Sequence, residues 1–272
     1  MREAETRRHV AWQHRGARSG FRTCRPVVAW DPGASRPDHG RDALVAAGRR
    51  VLVPDLLGFG HSDRPAQAAS LWLDGQAAAL GEVLVERDVG RVVIVGHDYG
   101  VPLAVTLVDA GLARPKGMVL TAGNVFTDTP VPTPLRALSL PVVGRAVARL
   151  ALSGPSLRVM LRAGMGRPRI DLDPAIHVGD RAQQHAIRTI FGTALRELPE
   201  RYEAVESALP RLDVPVQVLW GDRDPFFPIS EGRRVAAAIP GAQLRVLAGA
   251  GHFLPAERPS AVVAAVEELA TQ

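Results

Sequence analysis

The chain has 272 residues, of which 46% are apolar, enough for one large core with an insertion but short for two full domains. No apolar run reaches membrane-spanning length, the N-terminus lacks the uninterrupted apolar core of a signal peptide, and one cysteine, Cys24, excludes an internal disulfide; the expectation is a cytoplasmic protein with no membrane partner. The net charge of +5 does not point to nucleic acid, because residues 1–50 hold 11 Arg against 5 acidic side chains while the other 222 residues hold 22 basic and 23 acidic ones, and no nucleic-acid-binding motif accompanies the basic arm.

Residues 1–26 are Arg-rich with little apolar periodicity, apart from Val10–His14, which reads as an early strand. Val27–Trp30 reads as a buried strand ending at Asp31-Pro32-Gly33. A short helix over 40–48 and a strand over Arg50–Pro54 follow. Asp55-Leu56-Leu57-Gly58-Phe59-Gly60-His61-Ser62 is a glycine-rich loop, in which Asp55 and Ser62 are expected to hydrogen-bond backbone and His61 to have no catalytic part. An amphipathic helix over 70–87 leads into Val92–Val95, a fully apolar β-branched run typical of a buried parallel strand.

That strand stops at Gly96, Asp98 and Gly100 follow at two-residue intervals, and from Val101 onward Leu103, Ala104, Leu107 and Val108 recur at helical spacing. Strand, sharp turn and helix in this order place Asp98 at the carboxyl end of a sheet. The spacing is that of the Gly-x-Ser-x-Gly nucleophile elbow with aspartate in the serine position.

Gly117–Thr121 is the next strand. From about Val125 to Pro210 strand patterns vanish, and apolar residues recur at helical spacing over 135–151, 155–164 and 180–197 behind a proline-rich entry. Pro215–Trp220 resumes the sheet and ends in Gly221-Asp222-Arg223-Asp224-Pro225. Gln243–Leu247 is the last strand, followed by Gly249-Ala250-Gly251-His252 and a helix from about Ser260.

Gly96-His97-Asp98-Tyr99-Gly100, the Pro54–Ser62 loop, Gly221-x-x-Asp224 and Gly251-His252-Phe253 together resemble the α/β-hydrolase-fold proteins of the epoxide hydrolase and haloalkane dehalogenase group. The resemblance runs from about Val51 to the C-terminus. It implies a mostly parallel twisted sheet with helices on both faces, a core of residues 1–124 and 211–272, and a helical lid over 125–210 inserted after the sixth strand of the family's sheet. It also implies a catalytic set of Asp98, Asp224 and His252 in the family's chain order, with Asp222 the less favoured acid.

An ionised aspartate needs no base before it attacks carbon, so Asp98 would displace a halide or open an epoxide to give an alkyl ester. His252, oriented by Asp224, would then take a proton from the water that attacks the ester carbonyl. The Tyr99 amide is the expected first oxyanion donor, and no metal or organic cofactor is called for. The expected partner is a small, largely apolar substrate.

Three departures from the family limit this reading. Tyr99 stands where dehalogenases carry a halide-binding tryptophan. The pair of lid tyrosines of epoxide hydrolases is missing, leaving Tyr202 as a single candidate acid. Where the family reads His-Gly-x-Pro and x gives the second oxyanion N–H, the chain reads Trp30-Asp31-Pro32-Gly33: Pro32 has no N–H to give, and the charge of Asp31 beside a forming oxyanion would repel it. A non-catalytic ligand-binding protein on the same scaffold is the alternative these departures leave.

Overall fold

A computed structural model describes residues 12–13, 26–30, 39–59, 62–63, 65, 71–129, 140, 147, 150, 153–166, 200 and 202–271. Its strands in chain order are β1 (Trp12–Gln13), β2 (Pro26–Trp30), β3 (Arg50–Pro54), β4 (Val92–His97), β5 (Pro115–Thr121), β6 (Val216–Gly221) and β7 (Gln243–Leu247). They form one sheet ordered β1-β3-β2-β4-β5-β6-β7. β1 runs antiparallel to β3, and every other described pair is parallel. The parallel part follows from the alternation of apolar runs with helices, since parallel neighbours need crossovers.

The helices are α1 (His39–Ala46), α2 (Leu73–Glu86), α3 (Gly100–Asp109), α4 (Gly154–Gly164), α5 (Ile229–Ala238), α6 (Leu254–Glu257) and α7 (Pro259–Thr271). Alternate residues of the central strands feed two cores. Ile94, Met118, Leu120, Val218 and Trp220 pack with side chains of α2, α3 and α5 on one face. Val93, Val95, Val119 and Leu219 pack with Leu44 of α1 and with Val262, Val266 and Leu269 of α7 on the other. This two-residue alternation is why a strand buried on both faces has no polar side at all.

Of the expected early strand Val10–His14, the described residues are Trp12 and Gln13, which lie opposite Pro54 and Val53; the others lie outside the described residues. Helix α5 was not foreseen, because Gly232 interrupts its pattern and lowers helix propensity. The glycine is there for packing: a Cβ on it would lie 2.6 Å from the Trp220 ring.

Counted along the described strands, the inserted segment follows the fifth, β5. Of its three expected helices, 155–164 is found as α4, 180–197 lies outside the described residues, and 135–151 lies outside them except at isolated positions; 202–208 are also helical. Ser153 caps α4, its hydroxyl accepting from the Ser156 amide at 3.4 Å. The two ends of segment 125–210 are brought side by side, because the amide and hydroxyl of Thr127 both donate to Glu206 at 3.0 Å. In the loop after β3, the Ser62 hydroxyl donates to the Asp55 carbonyl, as expected. His61 lies outside the described residues.

The turn after β4 is closed by close backbone approach. A Cβ on Gly96 would sit 2.7 Å from the Gly100 carbonyl oxygen, and one on Gly123 would strike the Val101 side chain and lie 2.6 Å from the Asp98 carbonyl oxygen. Gly123→Ala should therefore lower stability by about 3 kcal/mol through overpacking. The drop would be read from the denaturant midpoint at constant slope, and an unchanged midpoint would contradict this packing.

Candidate active site

Asp98 carries the strain of the turn, with φ +50°, a left-handed conformation costing a side-chain-bearing residue about 1–2 kcal/mol. The Asp98 amide donates to the Thr121 carbonyl at 3.1 Å, and its carbonyl accepts from Val101 at 3.0 Å, so the surrounding backbone holds that conformation. Its side chain is half-exposed, and among the described residues no hydrogen bond reaches its carboxylate.

His252 and Asp224 meet across a gap of 28 positions in sequence. His252 Nδ1 lies 3.0 Å from Asp224 Oδ2, and both side chains are buried. A carboxylate only accepts, so the Nδ1–H donates to it and Nε2 is left as the basic nitrogen. The other oxygen, Oδ1, accepts from the amides of Phe226 at 2.8 Å and Phe227 at 3.0 Å. Asp224 is thereby oriented from both ends. Asp222, the alternative acid, accepts from the Gly249 amide at 2.7 Å instead and has a structural part.

The imidazole is enclosed by rings: His97, Phe226 and Phe253 each have centroids 5.0 Å from that of His252, and Phe227 lies at 5.7 Å. The His97 contact joins the histidine loop to the elbow, since His97 immediately precedes Asp98. His97 itself is buried and bonded through Nδ1 to the Thr121 hydroxyl at 2.9 Å, which fixes it as packing beside the elbow. The three phenylalanines are half-buried walls around His252, an arrangement that only the fold reveals.

Tyr202 is buried, and burial together with the nearby negative charge of Asp98 pushes its phenol well above the ordinary tyrosine range. The two residues therefore lie within electrostatic reach. Such a phenol keeps its proton at neutral pH and so has a hydrogen to donate. Tyr99 is half-exposed, and its hydroxyl donates to the Leu71 carbonyl at 3.4 Å. Asp31 and the two residues after it lie outside the described residues; β2 pairs Trp30 with Gly96 at its last described position.

The raised Tyr202 value has a stability consequence. The folded state binds the phenolic proton more tightly than the unfolded chain, so this contribution is complete below about pH 10 and is lost as pH rises from there toward the folded value. Alkaline unfolding should steepen by up to about 1.4 kcal/mol per pH unit in that window, and Tyr202→Phe should remove the slope. With two tyrosines in the chain, phenolate absorbance for one of them should appear only as the protein unfolds. Both phenols titrating in the native state would refute this.

A parallel sheet with a strained elbow and a buried acid–histidine pair at its carboxyl edge is hydrolase architecture. The chain belongs to the alpha/beta hydrolase family, whose model matches residues 17–266. An uncharacterized protein of Mycobacterium tuberculosis is 29% identical over 245 residues, covering 84% of this chain and 70% of that protein. A 2-hydroxy-6-oxononadienedioate/2-hydroxy-6-oxononatrienedioate hydrolase of Cupriavidus pinatubonensis is 29% identical over 230 residues, covering 81% and 75%. Haloalkane dehalogenase 2 of M. tuberculosis is 27% identical over 245 residues, covering 84% and 82%. Among solved structures, an ancestral haloalkane dehalogenase superposes with a TM-score of 0.77 at 19% identity, covering 97% of both chains. The epoxide hydrolase CorEH superposes with 0.73 at 18% identity, covering 97% and 98%. The likeness to these structures concerns the fold alone. Among the described residues no helix is long and apolar enough to cross a membrane.

Proposed function

We propose that the protein hydrolyses a small, largely apolar substrate through an alkyl ester on Asp98, with epoxide opening favoured over halide displacement. The observation that carries this reading is an aspartate at φ +50° on the elbow, its carboxylate without a described hydrogen-bond partner, beside a loop whose histidine is already paired to Asp224. Asp98 attacks a saturated carbon and the ring oxygen leaves, taking its proton from Tyr202. The preference for an epoxide rests on that phenol, kept protonated by burial and by Asp98, and on the Tyr99 hydroxyl being turned to Leu71.

His252 Nε2 then takes a proton from water as the water oxygen bonds to the Asp98 carbonyl carbon. The oxyanion formed is held by the Tyr99 amide at the amino end of α3, where the helix dipole is positive. Collapse of that intermediate breaks the bond between carbonyl carbon and alkyl oxygen. The imidazolium, stabilised by Asp224, returns its proton to the leaving alkoxide, and the proton left on the regenerated Asp98 carboxyl restores the Tyr202 phenol after epoxide opening or leaves with the halide after displacement. The product is a diol from an epoxide or an alcohol from a haloalkane. Residues 125–210 act as the lid, and substrate preference resides in its underside.

Single turnover in heavy-oxygen water tests the route. The label should enter the Asp98 carboxylate while the first product carries unlabelled oxygen from that side chain; label in the product with none on the Asp98 peptide would mean direct attack by water. A ligand-binding protein is the second reading, favoured by the sequence Trp30-Asp31-Pro32-Gly33, in which Pro32 has no N–H to give an oxyanion. Saturable binding that survives Asp98→Asn, with no product from wild-type protein, would select it.

A further inference from the structure

Glu257 is buried, yet its side-chain oxygens accept only from backbone amides among the described hydrogen bonds. Oε1 accepts from Phe253 at 3.0 Å, and Oε2 accepts from Gly251 at 3.0 Å and from Gly166 at 2.8 Å. The bond to Phe253 by itself would be an ordinary cap on the short helix α6, the side chain reaching back to the first turn. The other two do something further. Gly251 directly precedes His252, and Gly166 lies 91 positions away, just past α4 in the inserted segment.

The amide of His252 donates in turn to the Gly164 carbonyl at 2.7 Å. Three successive amides, at 251, 252 and 253, are thus held by two acceptor groups, the Glu257 carboxylate at the end of α6 and the Gly164 carbonyl at the end of α4. The joint admits no side chains: a Cβ on Gly251 would strike the Gly164 carbonyl, and one on Gly166 would strike the Gly249 carbonyl. On Gly164 it would lie 2.6 Å from the Phe226 ring and 2.7 Å from the Phe253 ring, both of which wall the imidazole.

We infer that Glu257 is a positioning residue for the ester-hydrolysis half of the reaction, setting His252 against Asp224 by tying the histidine loop to the inserted segment. The inference rests on the proposed Asp98 route for its catalytic consequence but not for its geometry. Formation of the ester needs Asp98 and a proton donor and makes no demand on His252. Its hydrolysis depends on where Nε2 sits, and a misplacement of about 1 Å can cost about a hundredfold. Loosening the clamp therefore slows the second step selectively, whereas general damage to the fold slows both.

Glu257→Gln keeps the volume but replaces one accepting oxygen with a donor, so at least one of the three amides loses its partner. Glu257→Asp keeps the carboxylate but is one methylene too short to span both attachments. With styrene oxide and 1-bromobutane as probes on the full chain, quenched single-turnover mass spectrometry separates the two steps. The expected result for either variant that melts as a folded protein is ester formation within about twofold of wild type and ester hydrolysis slowed about tenfold or more. Amide exchange should rise over 164–166 and 251–253 and stay unchanged over 96–101.

Equal slowing of both steps, or wild-type hydrolysis of the ester, would overturn the inference. Should the wild-type chain form no ester with either probe, the Asp98 route loses its support while the clamp is still judged, by amide exchange and by the downfield resonance of the His252 Nδ1–H bonded to Asp224. Raised exchange with loss of that resonance in the variants would sustain it. Unchanged exchange and an unchanged resonance would end it.

Discussion

Asp98→Ala is expected to lower turnover by at least about 10⁴-fold on any substrate the wild-type protein accepts, because on the proposed route this residue itself bonds to carbon. Asp98→Asn is the companion control. Asparagine tolerates the left-handed backbone seen here at φ +50°, so the elbow and the melting temperature should be kept while activity is lost. Initial rates with an epoxide and haloalkane panel provide the measurement. Retained activity in the asparagine variant would remove Asp98 from the chemistry and with it the proposed route.

His252→Gln should leave the first step intact and stop the second. The variant is expected to accumulate one covalent ester per chain, visible as a gain in intact mass equal to the substrate less any leaving group, with hydrolysis slowed by about 10³–10⁴-fold. The reason lies in the division of labour on the proposed route: a carboxylate attacks carbon without a general base, while water is not a nucleophile at neutral pH until Nε2 takes its proton. Asp224 prepares for that step, its two oxygens divided between the Nδ1–H and the amides of Phe226 and Phe227. A variant that turned over normally, or that never formed an adduct, would contradict the two-step scheme.

Much of this arrangement is legible in the order of residues. The Val92–Val95 run, Gly96 and the helical spacing after Gly100 foretell strand, elbow and helix, and β3 and β7 fall at the expected boundaries. The preference for Asp224 over Asp222 follows the family pattern; in the fold the Asp224 carboxylate meets His252 and that of Asp222 meets Gly249. What stays hidden depends on residues distant in sequence. Glu257 has no local signature beyond a helix cap, and its bond to Gly166 exists only once α4 has been laid against the histidine loop. Gly232 reads as a helix breaker until Trp220 is found beneath it.

The sequence by itself determined the alternation of strands and helices, the place of the elbow and the candidates for nucleophile, acid and base, because these follow from hydrophobic period and backbone sterics acting over a few residues. The tertiary structure decided which of those candidates touch, that Tyr202 lies in the field of Asp98, and that the Tyr99 hydroxyl is bonded to Leu71. Those outcomes depend on distances across the sheet and on burial, and both are set by how layers pack.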